Sequence, residues 1–405
     1  MGDQTISGSK HSFLSILIFS ICFWYLLLCA AHYFHQRPLW LDEQSVFKSV
    51  ATYQLQDFFT QKLAVDQIFP RFYLFLIHEV SRLFDFNLLA LRFFSFISMI
   101  AAFFIWLRLA RYEFTPKVRA ELGEPLKYLT FVLSWAASVP LIYYSAELKQ
   151  YSMDVLAGAT FLWFLYHQKD LAANRVRYLV VLALLPLWGL FSYPAFLFFI
   201  FPFYNLAVER QKNWNALGIY CFSVALAVAF IYFFDIRIAK ADVHSQGFFD
   251  YSVSFQSAGE FFKTWGEGTM NLFTRWFAER PRIIKKISLS FLMFGLLYMP
   301  YGFFKNIGKS KNHLASIDSI ALILYAELFI LGCLGKYPFS VPRTSLFFCP
   351  LVLVMTIKGI YELKRFNVYL YGIIHSLYLI FLALLAVGIT RIIFFQDFDF
   401  SPKLF

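Results

Sequence analysis

Hydrophobic positions along this chain are concentrated in long blocks that short polar connectors separate. Examples are 13–31, 88–107, 215–234 and 368–387. Each approaches or exceeds the ~20 apolar residues that a helix needs to cross about 30 Å of hydrocarbon. Strands of a membrane barrel would instead alternate in polarity over about ten residues. Because only helices and closed barrels satisfy every backbone amide in lipid, the pattern predicts an all-α, polytopic transmembrane helical bundle.

About eleven such blocks are predicted to span the membrane. They lie near 12–31, 88–109, 127–145, 151–167, 177–191, 193–208, 215–235, 287–304, 316–335, 344–360 and 368–388. Lys and Arg are enriched in short cytoplasmic loops, and several connectors here are short and basic. These connectors are 108–127, 169–177, 210–212, 305–311 and 358–365. We therefore place them in the cytoplasm, together with the N-terminus.

This orientation divides the chain into three parts. Residues 1–235 form a transmembrane module with outer loops at 32–87 and 146–150. Residues 236–286 form an extracytoplasmic loop that we expect to act as a lid. Residues 287–405 add the C-terminal transmembrane helices. The expected location is the cell membrane, with many crossings and the functional residues on the extracytoplasmic side.

The first outer loop contains a semi-apolar stretch, 69–84, that we predict does not cross the membrane. It is about one helical turn too short and contains charged residues such as Arg71, which are costly at mid-membrane. Ahead of it, Val46 and Val50 recur at helical spacing. They predict an amphipathic interfacial helix that begins near Asp42. The loop is therefore expected to lie along the membrane surface.

The composition agrees with a membrane protein and excludes some other classes. Of 405 residues, 60% are hydrophobic and 15% are charged, whereas soluble domains carry roughly 25% charged residues. The net charge of +11 comes mostly from the connectors, without a basic stripe interleaved with stacking aromatics, so we expect no nucleic-acid partner. The five cysteines form no CxxC pair, which gives no sign of a zinc site or a disulfide framework.

An acidic pair, Asp42 and Glu43, follows the first predicted helix by about one turn. Two readings stay open. The carboxylates could cap the next helix, where the helix dipole favours negative charge in the first turn. Alternatively, they could supply a general base or a metal ligand at the membrane surface.

The second outer loop carries more polar residues than a tight turn needs: Glu147, Lys149, Gln150 and Tyr151. It faces the same outer space as Asp42. Acids that converge with cations suit chemistry on a phosphate-bearing lipid, because the acid can deprotonate an acceptor hydroxyl while the cations stabilise the departing phosphate. As a metal site the set is weak, since no histidine lies at helical spacing from either acid.

Three further positions carry hypotheses of their own. Arg343, six residues after Tyr337, begins a predicted span from the outside. It could snorkel to headgroups or bind a phosphate with two hydrogen bonds.

Asp154 and Glu327 lie inside apolar blocks, where a carboxylate is a functional candidate. They support an alternative function, a multi-span transporter or lipid flippase, although the repeated halves typical of such proteins are not evident.

Four short motifs, in this order, resemble the lipid-dependent glycosyltransferases of the C fold (GT-C). The motifs are Leu41-Asp42-Glu43, Phe69-Pro70-Arg71-Phe72-Tyr73, Ala90-Leu91-Arg92 and Tyr144-Ser145-Ala146-Glu147-Leu148-Lys149-Gln150-Tyr151. The branch that they resemble contains the protein O-mannosyltransferases, the aminoarabinose transferases and the dolichyl-phosphate-mannose mannosyltransferase-like proteins. The resemblance covers roughly residues 12–210, and beyond them only the architecture.

The resemblance implies a transferase that moves a hexose or pentose from a polyprenyl-phosphate carrier to an acceptor hydroxyl on a lipid, polysaccharide or protein. It implies that Asp42, Glu43 and Glu147 are catalytic. It implies substrate-binding roles for Lys149, Gln150, Tyr151, Arg71, Tyr193, Tyr337 and Arg343. The resemblance requires no cofactor for certain. Whether Asp42 and Glu147 bind a divalent metal stays an open question. A non-catalytic partner that keeps the fold is a third hypothesis.

Overall fold

The computed structural model describes residues 4–64, 69–114, 123–208, 214–239, 252–277, 282–307, 316–339 and 341–395. Several of the sequence expectations fall outside these ranges. They are the basic connector at 210–212, parts of the connectors at 108–127 and 305–311, parts of the proposed lid at 236–286, and the C-terminal tail.

All regular structure in these ranges is helical, which confirms the predicted all-α class. The α-helices are α1 (Gln4–Phe34), α2 (Leu41–Thr52), α3 (Asp57–Thr60), α4 (Arg71–Arg82), α5 (Leu88–Phe114), α6 (Gly123–Ala136), α7 (Val139–Tyr143), α8 (Tyr151–Ala172), α9 (Arg175–Leu184), α10 (Ile200–Val208), α11 (Trp214–Ile231), α12 (Arg237–Ala239), α13 (Ala258–Thr274), α14 (Arg282–Asn306), α15 (Ile317–Cys333), α16 (Cys349–Glu362) and α17 (Val368–Phe395). Short 3₁₀ segments lie at Tyr144–Ala146, Leu185–Leu190, Tyr193–Phe198, Pro342–Phe348 and Leu363–Arg365, and a π-helical turn at Tyr232–Ile236.

Six of the helices described are long and apolar enough to cross a membrane. The six segments are Phe13–Phe34, Leu88–Phe114, Trp214–Ile236, Ile283–Asn306, Arg343–Arg365 and Val368–Phe394. A seventh crossing would join Pro125–Ala136 to Val139–Ala146 across a 59° bend. The polytopic architecture is therefore confirmed, but the predicted count of about eleven spans is not.

The region 177–208 accounts for two of the predicted spans that the structure does not reproduce. The chain there forms α9, two 3₁₀ segments and the nine-residue α10. Proline has no backbone N–H to donate and clashes with the preceding turn, so it kinks or breaks a helix. Pro186, Pro194 and Pro202 each lie within the first three residues of a new segment.

The first loop is built on two short helices, α2 and α4, of twelve residues each. Such a helix is about 18 Å long, which is too short to cross the hydrocarbon layer. α2 begins at Leu41, next to the predicted start at Asp42. Val46 and Val50 of α2 and Ile77 of α4 are buried in one small apolar core. The prediction of non-crossing helices in this loop is confirmed. The end of the bundle that carries this loop is called the site end below.

An ion cluster ties the helices together at the opposite end of the bundle. Lys358 of α16 contacts the carboxylates of Glu113 at the end of α5 and of Asp318 at the start of α15, the latter at 2.6 Å. Asn306 of α14 donates to the second oxygen of Asp318 at 2.8 Å. Because a buried cation is stable only when paired, this cluster fixes how four helices meet.

The helix α13 belongs to the region that we expected to form a lid, and it packs on α15. The indole of Trp265 donates to the hydroxyl of Tyr325 at 3.0 Å, and Thr269 hydrogen-bonds the same hydroxyl at 2.8 Å. Before the helix, the backbone N–H of Val253 donates to the carbonyl of Gly332 at 3.2 Å. α13 is thus joined to the bundle by polar as well as apolar contacts.

Candidate active site

A buried carboxylate, Glu43, joins the loop that follows α1 to the loop at 147–150. Its oxygens accept hydrogen bonds from Nε and Nη2 of Arg92 at 3.0 and 2.9 Å and from Nη1 of Arg37 at 2.9 Å. The backbone N–H groups of Leu148 and Trp40 also donate to it, at 2.7 and 3.3 Å. Glu43 is fully buried. Its five hydrogen bonds therefore hold α2, α5 and the second loop in a fixed relation.

Sequence reasoning gave Arg37 and Arg92 no role in the site. The sequence did contain a signal for Arg92: an arginine that follows four residues of an apolar block is expected to be buried. Arg92 is indeed buried in the fold. A buried arginine requires a carboxylate or carbonyl partner. Arg92 has both, since its Nη1 also donates to the carbonyl of Arg37 at 2.7 Å.

Asp42 lies next to Glu43 in the chain but faces a different direction. Neighbouring positions on an α-helix are about 100° apart, and so Asp42 stays 28% exposed while Glu43 is buried. Nη1 of Arg343 donates to Asp42 Oδ2 at 2.8 Å. The guanidinium also lies 5.8 Å from the ring centre of Trp40. The acid and the arginine that the sequence singled out therefore meet, although 301 residues separate them.

Glu147 is the buried acid of the second loop. The indole N–H of Trp40 donates to Glu147 Oε1 at 3.1 Å. Oε2 has no hydrogen-bond partner among the residues that the structure describes. Burial, reinforced by repulsion from Glu43, raises the pKa of Glu147 to about 8, against the attraction of nearby cations.

Lys149 lies two residues later, and its side chain is 8% exposed. Its ammonium is 5.8 Å from the ring centre of Phe69. Burial lowers the pKa of Lys149, while the charges of Asp42 and Glu147 act in the opposite direction. Its carbonyl accepts a hydrogen bond from Ser95 at 3.0 Å, which fixes the turn against α5. The ammonium thus lies within electrostatic reach of both acids.

Tyr151 and Tyr337 are associated with Arg343. Tyr151 is buried and interacts electrostatically with Arg343. The hydroxyl of Tyr337 donates to the carbonyl of Thr344, next to Arg343 in the chain. Gln150 follows Lys149, precedes α8 and is half-buried. A substrate contact by Gln150 stays a prediction.

Arg71 and Tyr193 lie in a separate cluster around Asp235, which sequence reasoning did not select. Arg71 Nε is 3.2 Å from Asp235 Oδ1, and the Tyr193 hydroxyl donates to Oδ2 at 2.8 Å. Arg71 also donates to the carbonyls of Phe58 and Gln61. This geometry favours a structural tie between the first loop and the end of α11. A substrate contact by Arg71 or Tyr193 stays a prediction.

A divalent metal held by Asp42 and Glu147 is a further possibility that the sequence left open. Within the described part of the chain, no three His, Cys, Asp or Glu side chains are grouped closely enough to hold a metal ion. Asp42 is paired with Arg343, and Glu147 with the indole of Trp40.

The fold is the GT-C fold. Two solved structures similar to this chain are those of ArnT, an aminoarabinose transferase, from Cupriavidus metallidurans. The apo structure has a TM-score of 0.51 at 12% sequence identity, covering 95% of this chain and 71% of ArnT. The structure bound to undecaprenyl phosphate has a TM-score of 0.52 at 12% identity, covering 94% and 70%. No protein-family model and no curated protein sequence matches the chain.

The raised pKa of Glu147 predicts a pH-dependent stability. The group has an ordinary pKa of 4.5 when unfolded and about 8 when folded. Its contribution to stability is therefore fully present below about pH 4.5 and is lost as the pH rises to about 8. We expect the melting temperature of the wild type in detergent to fall over this window and that of Glu147→Gln to fall less. The exposed Glu260→Gln control should follow the wild type. Equal slopes for all three proteins would contradict the prediction.

Proposed function

We propose that this protein is a membrane glycosyltransferase that moves a sugar from a polyprenyl-phosphate carrier to an acceptor hydroxyl. The observation that carries the proposal is the meeting of Asp42 with Arg343 beside the turn at 147–149. This arrangement places an acid and two cations together at the site end of a GT-C fold. The undecaprenyl phosphate bound to one ArnT structure supports a carrier of this kind.

In the proposed reaction, Asp42 takes the proton of the acceptor hydroxyl. The acceptor oxygen then bonds to the anomeric carbon of the sugar, and the bond between that carbon and the phosphate oxygen breaks. Polyprenyl phosphate leaves with the bonding electrons. Arg343 and Lys149 stabilise the charge that develops on it, because donors that are already in place cost little reorganisation.

Glu43 has a supporting role in this proposal. All of its hydrogen bonds described above go to Arg92, Arg37 and backbone N–H groups, and it is fully buried. Glu43 therefore positions Asp42 relative to the second loop. This role differs from the catalytic role that the resemblance implies for it.

We further propose that the site end faces the extracytoplasmic side of the cell membrane. The basic connectors 169–177 and 358–365 lie at the opposite end of their helices, as expected for cytoplasmic loops. The division into a module at 1–235, a lid at 236–286 and C-terminal helices at 287–405 belongs to the same proposal. The sugar is a hexose or pentose, and the acceptor is a lipid, polysaccharide or protein.

The binding test uses undecaprenyl phosphate and the purified protein. Replacing Arg343 by glutamine removes one charge-assisted hydrogen bond to the phosphate, worth about 1.5–3 kcal/mol. We expect Kd for undecaprenyl phosphate to rise about 10- to 100-fold, measured by native mass spectrometry or fluorescence titration. Arg365→Gln, an exposed arginine at the opposite end, is the control. A wild type without affinity, or equal Kd values for all three proteins, would refute the proposed phosphate site.

A further inference from the structure

We infer that Asp154 is the centre of a subsite that binds hydroxyl groups of the transferred sugar. The inference rests on the proposed function and adds to it a group that determines which donor is accepted. Asp154 lies in the first turn of α8, inside the bundle, and it has no part in the chemical step described above.

The first observation is a buried carboxylate oxygen without a partner. Asp154 is 2% exposed, and its Oδ1 has no hydrogen bond among the residues described. The hydroxyl of Ser192, itself fully buried, is its polar neighbour. A buried polar atom left unpaired costs about 1–3 kcal/mol. Such atoms are rare in native proteins, and a ligand that donates hydrogen bonds is one reason for keeping them.

The second observation is the position of Asp154 relative to the phosphate site. Asp154 lies one turn after Tyr151 in α8, and α8 packs against the segment Pro342–Phe348, which carries Arg343. Three residues of α-helix advance by roughly 5 Å. A single sugar ring spans a comparable distance from its anomeric carbon to its far hydroxyls. A donor with its phosphate at Arg343 would therefore bring those hydroxyls to Asp154.

The surroundings of Arg343 and those of Asp154 are chemically complementary to the two parts of such a donor, its phosphate and its sugar. Arg343 and Lys149 supply positive charge for the phosphate. In the described part of the chain no cation is paired with Asp154, so this end disfavours phosphate. The phenol groups of Tyr73 and Tyr337 interact electrostatically with the same carboxyl group. A buried carboxyl group with an unpaired oxygen, in otherwise aromatic surroundings, fits a sugar ring, whose hydroxyls can hydrogen-bond to it.

The experiment compares the bare carrier with carriers that bear a sugar. The probes are undecaprenyl phosphate and a panel of undecaprenyl-phosphate-linked hexoses and pentoses. In Asp154→Asn we expect Kd for the preferred sugar-bearing carrier to rise about three- to tenfold, because a hydrogen bond between the acid and a sugar hydroxyl is lost. Kd for the bare carrier should stay within about twofold of the wild type. Ser192→Ala should show a smaller rise with the same selectivity.

The matched control is Glu327→Gln, which makes the same chemical change at another intramembrane carboxylate with an unpartnered oxygen. It should leave both affinities unchanged. Equal weakening of bare and sugar-bearing carriers by Asp154→Asn would show a structural role and overturn the inference. So would a wild type that does not distinguish the two carriers. A wild type that binds neither carrier would instead overturn the proposed function itself.

Discussion

Replacing Asp42 by asparagine is expected to lower the rate of sugar transfer by about 10²- to 10⁴-fold, the usual contribution of a positioned general base. Asparagine has nearly the same shape as aspartate but cannot take a proton from the acceptor hydroxyl. The carboxylate that is lost is 28% exposed and is paired with Arg343. The measurement is initial velocity with a saturating polyprenyl-phosphate donor.

The same variant should bind undecaprenyl phosphate at least as tightly as the wild type. Asp42 pairs with Arg343 at 2.8 Å, so it competes with the phosphate for the guanidinium and also repels it. Removing the negative charge frees Arg343. Tighter carrier binding combined with lost turnover would separate a missing base from a damaged site.

Asp57→Asn is a suitable control for Asp42, because it makes the same change at a half-buried residue of the same loop whose carboxylate bonds only Gln54 and Gln61 among the residues described. It should leave transfer unchanged. Transfer by Asp42→Asn at the wild-type rate would rule out Asp42 as the base. Loss of carrier binding in the same variant would instead indicate that Asp42 organises the site.

The architecture could be predicted from the sequence because lipid imposes a simple rule on apolar runs. Blocks such as 88–107 had to be helices, and the charged stretch 69–84 could not cross. The same rule was not sufficient at 177–208, where apolar length predicted two spans but the chain forms shorter segments, three of which begin within two residues of a proline. Hydropathy measures whether a segment tolerates lipid, and it does not measure whether the backbone can form one continuous helix.

The sequence predicts on which side of the membrane each loop lies, and the site could be predicted only as far as that. Placing Asp42 and Lys149 in outer loops on the same side was enough to expect them together. The pairing of Asp42 with Arg343, however, spans 301 residues and depends on how the helices pack. Asp235 was missed because an acid at the end of an apolar block is ordinary, and its partner Arg71 lies in another loop.

The second large effect is expected at Glu43, where the site depends on a buried charge. Replacing Glu43 by glutamine leaves the guanidinium groups of Arg92 and Arg37 buried without their counter-charge. Breaking a buried pair in this way costs about 3–5 kcal/mol. The measurement is the unfolding free energy in mixed detergent. Glu79→Gln, at an exposed surface pair with Arg82, should change it by less than about 0.5 kcal/mol.

A triple variant separates the stability of this cluster from its role in the site. Glu43→Leu with Arg92→Met and Arg37→Met removes all three buried charges, and apolar replacements of buried ion clusters are often tolerated. We therefore expect the triple variant to be less destabilised than Glu43→Gln. It should nevertheless transfer sugar poorly, because the bond from the Leu148 N–H to Glu43 sets the position of Lys149. Full activity in the triple variant would mean that the second loop holds its position without Glu43, and the positioning role would then be wrong.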